Sequence, residues 1–438
     1  MRSISCLEHY VPIARIFSLF ADEQDAVILE SSLQNRLGRY SIIGRQPYMN
    51  VVKQDGLWVN GERRPEEFAD FLNGYLKQNQ EDNPTDLPLV DGAIGFFSYD
   101  YKRGVDASFP ECVFMFYDQL IIEDHAEKQV YLIANGKLMD SQRATANLLS
   151  VISGIQDIPP ATAAVDPISV CRNFEKEAYK QAIQDMIQYI IEGDIYIANM
   201  TQRLDIRSDR APYAVYSRLR ENNPAPFSAY MNYAGFQVIC ASPERFLQMK
   251  NRQVVTRPIK GTRKRGQTAE EDEALREELQ NSEKDKSELL MIVDLERNDL
   301  NRVCVPGSVV VDELFTVESY ATVHHLVSNI SGVLEEGLTA IDLLEAMFPG
   351  GSITGAPKIR AMEIIEELER GNRGLYTGSI GYISLDGDCD FNIVIRTAVY
   401  RDQVYRMGIG GGITCESDLE FEYEETLQKA KAMLDALS

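Results

Sequence analysis

From Gly378 to Gly412 the sequence reads GSIGYISLDGDCDFNIVIRTAVYRDQVYRMGIGGG. Three β-branched apolar runs follow one another here, Gly378–Leu385, Ile393–Tyr400 and Val404–Ile409, with turn residues between them. No helix intervenes, and the regular strand–helix–strand rhythm of a doubly wound sheet is missing, which points to an α+β architecture. The third run passes into Gly408-Ile409-Gly410-Gly411-Gly412-Ile413-Thr414, where bare backbone can approach a ligand, and an amphipathic acidic helix follows over Leu419–Leu437.

Outward from this segment, further strands are expected at Gln237–Ala241, Gln253–Arg257 and Ser308–Leu314. Helices are expected over Phe174–Glu192, which Gly193 ends, and over Ala269–Leu295, Ile341–Met347 and Pro357–Leu368. Nearer the start, Asp25–Leu29, Tyr48–Val52 and Gln129–Ala134 read as strands, and Gln78–Leu87 as a polar loop. Residues 157–168 include IPPATAAVDPI, rich in Pro and Ala and without periodicity. They are expected to link an N-terminal subdomain, 1–156, to a larger unit, 169–438.

The 438 residues carry 67 acidic and 44 basic side chains, a net charge of −23. A field of that sign repels phosphate backbones and anionic lipid, so neither nucleic acid nor membrane is an expected partner. An anionic substrate would need a metal ion or a few placed cations to overcome it. The seven cysteines are scattered without a CxxC pair, as in reduced cytosolic proteins. Polar residues interrupt Met1–Tyr10 and no apolar run approaches the ~20 residues of a membrane span, so a cytoplasmic protein is expected.

Asp285 and Glu288 lie three apart on one expected helix, and Glu422 and Glu425 repeat that spacing on another. Each pair reads first as a solvated acidic face; two such pairs converging would make a hard-oxygen site for Mg²⁺ with positions left open for substrate. The second glycine cluster, Pro349-Gly350-Gly351-Ser352-Ile353-Thr354-Gly355-Ala356-Pro357, opens a helix. It is a tight turn or a place for an anion at free backbone N–H groups. Lys260 ends an apolar strand and reaches either solvent or a site; as a nucleophile it must be neutral, which at an ordinary pKa of ~10.4 is rare near neutral pH. Glu244, sixteen residues earlier, is a candidate acid on a neighbouring strand.

Together the blocks EGDIYIANMTQR, SPERF, RPIKGTR, SELLMIVDLERNDL, HHLVSNI, FPGGSITGAPK, RGLYTGSIGY, NIVIRTA, GIGGG and EFEYEET resemble, in order, the chorismate-utilising enzymes. That family includes anthranilate, aminodeoxychorismate, isochorismate and salicylate synthases, and the resemblance runs from Phe174 to Ala430. It implies a fold like anthranilate synthase component I, a sandwich of two orthogonal antiparallel sheets with helices outside and the active site in the cleft.

The resemblance also assigns roles. It makes Glu288 and Glu425 Mg²⁺ ligands, with Glu422 and Asp285 holding metal-bound water, Asp285 standing where several relatives have Glu. Tyr376, Arg396, Gly410 and Gly412 match positions that bind the carboxylates of chorismate, Ser352 and Thr354 belong to the loop lining the same pocket, and His325 matches a histidine near C4 of the ring. Ile197 replaces the Gln, or the Lys base of the water-adding members, which argues against isochorismate and salicylate synthesis. PIKGT at Lys260, where anthranilate synthases resemble PIAGT, matches the aminodeoxychorismate synthase type. There the lysine attacks C2, Glu244 protonates the leaving C4 hydroxyl, and ammonia then displaces the lysine. Ser31, Pro224 and Phe227 fall in segments that resemble the tryptophan pocket of relatives. No glutaminase segment or following lyase domain is recognised, so ammonia is expected from a separate glutamine amidotransferase subunit, and a separate lyase would make 4-aminobenzoate for folate.

Overall fold

The computed structural model describes residues 2–33, 37–101, 103, 109–155, 167–320 and 323–438. The proposed linker lies outside the described residues except for Pro167 and Ile168.

Two long strands organise the fold. Tyr40–Lys53 runs antiparallel to Cys112–Asp124, from Tyr40 opposite Asp124 to Lys53 opposite Cys112. Both pass from one sheet into another. The ladder shifts register between Pro47 and Met49, next to Gln46 at φ 53°, where the strand bends. Cys112–Asp124 is buried along its whole length, as a strand covered on both faces must be. Its polar midpoint, Asp118, accepts the backbone N–H groups of Lys137 and Leu138 at 2.7 and 3.3 Å.

The Tyr40–Arg45 half pairs with Val27–Glu30. That sheet continues through Phe227–Tyr233, Phe236–Ser242, Thr397–Arg401 and Val404–Ile413 to Ile197–Arg207. The Cys112–Phe116 half pairs with Gly92–Phe97. Its sheet continues through Ser379–Ser384, Cys389–Asn392, Arg245–Lys250 and Gln253–Thr256 to Val323–Val333, which Ile259–Lys264 and Val310–Ser319 flank. Every pairing among the described residues is antiparallel, so the α+β class read from the sequence is the class observed. The N-terminal strands pair directly with strands beyond residue 169, Val27–Glu30 with Phe227–Tyr233 and Gly92–Phe97 with Ser379–Ser384.

Three elements differ from expectation, each for a local reason. The long helix expected over residues 269–295 is two helices, Ala269–Asn281 and Glu283–Leu300. Ser282 leaves the helix at ψ 105° and its hydroxyl accepts the Asp285 N–H at 3.3 Å, capping the second helix. Apolar periodicity runs through the junction and hides it. Of the strand expected over residues 393–400 only the part from Thr397 forms, in Thr397–Arg401; the preceding strand ends at Asn392, and Arg396 between them is in the left-handed region at φ 51°. Pro357 caps the helix Lys358–Leu368 instead of entering its first turn.

Candidate active site

The floor of the site is the antiparallel pair Ile197–Arg207 and Val404–Ile413, with Asn199 opposite Gly412, Thr201 opposite Gly410 and Arg203 opposite Gly408. Glycine is required here by close approach. A Cβ at Gly408 would come within 2.2 Å of the Tyr376 ring, so the ring can lie on the strand only over a bare backbone. A Cβ at Gly412 would project to 3.5 Å from Lys260 Nζ, filling space beside the ammonium.

Lys260 reaches this floor from the strand Ile259–Lys264. The ladder slips between Lys260, opposite Leu326, and Thr262, opposite His325, because Gly261 forms a bulge at φ 72°. The Lys260 ammonium donates to the carbonyl oxygen of Ser352 at 3.2 Å. Glu244 is not on a strand as expected. It occupies the break between Phe236–Ser242 and Arg245–Lys250, held by the Ile393 N–H donating to its carbonyl at 3.0 Å. Glu244, Lys260, Ser352, Tyr376, Arg396, Gly410 and Gly412 line one cavity of about 160 Å³. Arg396 and its neighbour across the cavity wall, Thr377 (φ 60°), both hold the left-handed backbone that non-glycine residues rarely adopt.

Burial sets the electrostatics. It pushes the Lys260 ammonium below its ordinary range, while Glu288 and Glu244 oppose the shift. It raises the Glu244 carboxyl, against the pull of a hydrogen bond to Ser352 and the charges of Lys260 and Arg396. It lowers Arg396 as well, opposed by Glu244. A lysine moved toward its neutral form and a glutamate moved toward its protonated form share one cavity with a guanidinium. Such a set could supply a nucleophile, an acid and an anion anchor.

Glu288 and the Glu422/Glu425 pair come from two different helices, Glu283–Leu300 and Leu419–Leu437. Burial raises the Glu288 and Glu422 carboxyls, and the charge of Glu425 raises both further. Oxygens of Glu425 and Glu422 would lie 2.9 and 3.3 Å from a Cβ at Gly411. Carboxylates that repel one another around a bare glycine form a site that a hard divalent cation would relieve, so the donor chemistry fits Mg²⁺. Among the described residues no three or more carboxylate, imidazole or thiol groups are grouped so as to hold a metal ion, so the fit rests on the donor chemistry of Glu288, Glu422 and Glu425 alone.

Several residues stand apart from their expected places. Arg263 pairs with Asp285 at 3.1 Å, and the charge of Asp285 still raises the Glu288 carboxyl. Thr354 is fully buried, and its hydroxyl donates to the Gly350 carbonyl at 2.9 Å; it closes the loop, and Ser352 alone of the two lines the cavity. His325 is bonded through Nδ1 to the Thr262 hydroxyl at 2.9 Å and does not line the cavity. Burial, reinforced by Arg396, pushes its imidazole down to about 4, so it is neutral at pH 7. Ile197 is buried, with its Cδ1 3.5 Å from a Cβ at Gly412, and places an apolar group beside the floor.

Sequence reasoning missed Asn199, Thr201 and Lys429, which also line the cavity. The Lys429 ammonium donates to Gly410 O at 2.9 Å and to Glu425 at 3.0 Å, a second cation at the mouth. Its only sequence signal is the i,i+4 spacing from Glu425, which any surface helix can carry.

A separate pocket of about 400 Å³ includes Ser31 and Phe227 in its walls, with Pro226 in place of the expected Pro224. Pro224 is exposed. The Ser31 hydroxyl donates to the Pro226 carbonyl at 2.9 Å, joining the two segments.

A profile of chorismate binding enzymes matches residues 25–435. Aminodeoxychorismate synthase component 1 of Bacillus subtilis (strain 168) is 40% identical, over 94% of this chain and 91% of its own. Anthranilate synthase component 1 of Acetivibrio thermocellus is 36% identical, over 98% of this chain and 94% of its own. Among solved structures, anthranilate synthase component I from Streptococcus pneumoniae TIGR4 superposes with a TM-score of 0.82 at 31% identity, covering 92% of this chain and 93% of that one.

Proposed function

The chain belongs to the chorismate-binding enzymes, and from that membership we propose that it aminates chorismate at C4, as an aminodeoxychorismate synthase, giving 4-amino-4-deoxychorismate and water. The observation that carries this reading is Lys260, a half-buried amine sharing with Glu244 the cavity floored by Gly410 and Gly412.

In the proposed sequence Arg396, Tyr376 and the backbone of Gly410 and Gly412 hold the substrate carboxylates. The neutral Lys260 amine attacks C2 as the C4 hydroxyl departs, and Glu244 gives that hydroxyl its proton, so water leaves. Ammonia then attacks C4, the bond from Lys260 to C2 breaks, and the lysine amine is regenerated. Glu288, Glu422 and Glu425 would hold Mg²⁺, which supplies positive charge against an anionic substrate. Lys429 contributes a fixed cation at the same end.

The relatives' designation as component 1 supports a second component, which we identify as a glutamine amidotransferase supplying ammonia; a separate lyase would then release 4-aminobenzoate for folate. No helix among the described residues is long and apolar enough to cross a membrane, consistent with work in the cytoplasm. The 400 Å³ pocket at Ser31 and Phe227 is proposed as the counterpart of the tryptophan pocket.

The test is to incubate the protein with chorismate, Mg²⁺ and an ammonium salt and identify the product by mass. An aminated product that retains pyruvate and needs Lys260 supports the reading. Anthranilate with free pyruvate, favoured by the similarity to anthranilate synthases, would replace it.

A further inference from the structure

Next to the catalytic cavity lies an ion pair that is bonded to four of its lining residues without entering it. The side chains of Arg373 and Glu369 are only 2% and 5% exposed. All five N–H donors of the guanidinium are in use. Two go to Glu369, from Nε at 2.9 Å and Nη2 at 2.6 Å. Nη2 also donates to the Asn199 carbonyl at 2.9 Å, and Nη1 to the Ile353 carbonyl at 2.9 Å and the Thr377 hydroxyl at 3.2 Å. Glu369 in turn accepts the Thr201 N–H at 3.0 Å. Asn199, Thr201, Ile353 and Thr377 all line the catalytic cavity. Arg373 and Glu369 do not; they stand in the wall of a second cavity of about 560 Å³, which meets the first at Tyr376.

The four bonded residues come from three separate segments: the floor strand, the glycine-rich loop and the turn after Tyr376. One rigid planar fork fixes their spacing. Its bonds bear on the reacting groups. The Asn199 side-chain amide donates to the Ser352 carbonyl at 2.8 Å, the same oxygen that accepts the Lys260 ammonium. Ile353 follows Ser352 directly, so holding its carbonyl steadies the peptide that aims the lysine. Thr377, at φ 60°, follows Tyr376, whose ring lies on Gly408. Stability alone does not account for the pair, since desolvating two charges costs about what their attraction returns, and apolar residues of similar size often serve as well. We infer that Arg373 and Glu369 are positioning residues for the amination: through Asn199, Ile353 and Thr377 they hold the Ser352 carbonyl, and with it the Lys260 amine, aimed at the substrate. The inference rests on the amination reading above.

Arg373→Lys keeps a charge opposite Glu369 but offers three donors from one point in place of a five-donor fork. With chorismate, Mg²⁺ and ammonium, its kcat is expected to fall about tenfold to a hundredfold. The KM for chorismate should rise less than about threefold, because Arg396 and Gly412, which the pair does not touch, keep their places. A folded variant with the parental kcat, or one in which only the KM for chorismate moves, overturns the assignment. Should Arg373→Lys fail to fold, the double variant Arg373→Met/Glu369→Met, which leaves no lone buried charge, decides by the same measure. Failure of both to fold makes the pair structural and also overturns the positioning role. The parent enzyme separates this role from the reading beneath it. If the parent forms the aminated, pyruvate-retaining product and the variants keep its kcat, the positioning role fails and the amination reading stands. If the parent makes anthranilate or consumes no chorismate, the amination reading fails, and the role assigned to the pair fails with it.

Discussion

The Lys260 ammonium and the Ser352 carbonyl oxygen are joined by a hydrogen bond of 3.2 Å, which ties the bulged strand Ile259–Lys264 to the glycine-rich loop and aims the amine into the cavity. Loss of the amine should therefore abolish amination with little loss of fold. Lys260→Ala is expected to lower kcat by at least ~10³, measured as product formed per enzyme with ammonium as donor, while thermal unfolding stays within a few degrees of the parent. Because the proposed attack needs the neutral amine, the rate should rise with pH along a limb lying below the ordinary lysine value of ~10.4, as burial dictates. A limb at or above that value would exclude Lys260 as nucleophile.

Glu244→Gln keeps the size of the side chain and its contact with Ser352 but removes the transferable proton. A fall of roughly 10²–10⁴ in kcat at nearly constant KM for chorismate is expected, from steady-state kinetics. A large change in KM alone would make Glu244 a binding group.

Glu422→Gln should have effects of opposite sign. Glu422 is buried, accepts the Ser417 hydroxyl at 2.7 Å, and is pushed up by burial and by Glu425. Without Mg²⁺, removing this charge relieves repulsion, so the metal-free variant should unfold at a higher temperature than the parent. In activity titrations it should need about tenfold more Mg²⁺, and chelation should silence both proteins.

Glu296 is predicted to make stability fall as pH rises. The Thr256 hydroxyl oxygen lies 2.7 Å from the Phe246 carbonyl and 2.8 Å from a Glu296 oxygen. The bond from the Thr256 hydroxyl favours the ionised carboxylate, but burial opposes it more strongly. Burial accordingly pushes its carboxyl up to about 8. From about pH 4.5 to pH 8 the unfolded chain ionises there while the folded chain keeps its proton, and stability is lost across that window. Glu296→Gln cannot ionise; denaturant unfolding should find it increasingly more stable than the parent toward pH 8, with no such trend below pH 4.5. An unchanged pH dependence would refute the protonated state.

Gly261→Ala tests the bulge. At φ 72° an alanine is strained, and its Cβ would lie 2.8 Å from Asp285 Cγ. A stability loss of about 1–2 kcal/mol is expected by thermal unfolding, together with a fall in kcat as Lys260 turns away from Glu244.

Much of the fold was legible because strand alternation and helical periodicity are local. The run Gly378 to Gly412 announces successive strands, and Gly193, at φ 88°, ends its helix where expected. The failures are also local in cause. A serine cap at residue 282 and a left-handed Arg396 interrupt apolar runs that look continuous, because periodicity reports burial and not backbone breaks. At the site, Lys260, Glu244, Glu288 and Arg396 were found through matched blocks, whereas Lys429 and Asn199 lay inside ordinary helix and strand patterns.

By itself the sequence determined the α+β class, the candidate nucleophile and acid, and the two acidic pairs, since each is written in residue type and short spacing. Only the tertiary structure decided which of these groups share a cavity. It brought Lys260, Glu244 and Arg396 together, paired Asp285 with Arg263, turned Thr354 inward and set a second cavity behind Tyr376. The reason is that antiparallel pairing joins segments far apart in the chain. Their register and bulges, and the burial that shifts each pKa, exist only once the strands have met.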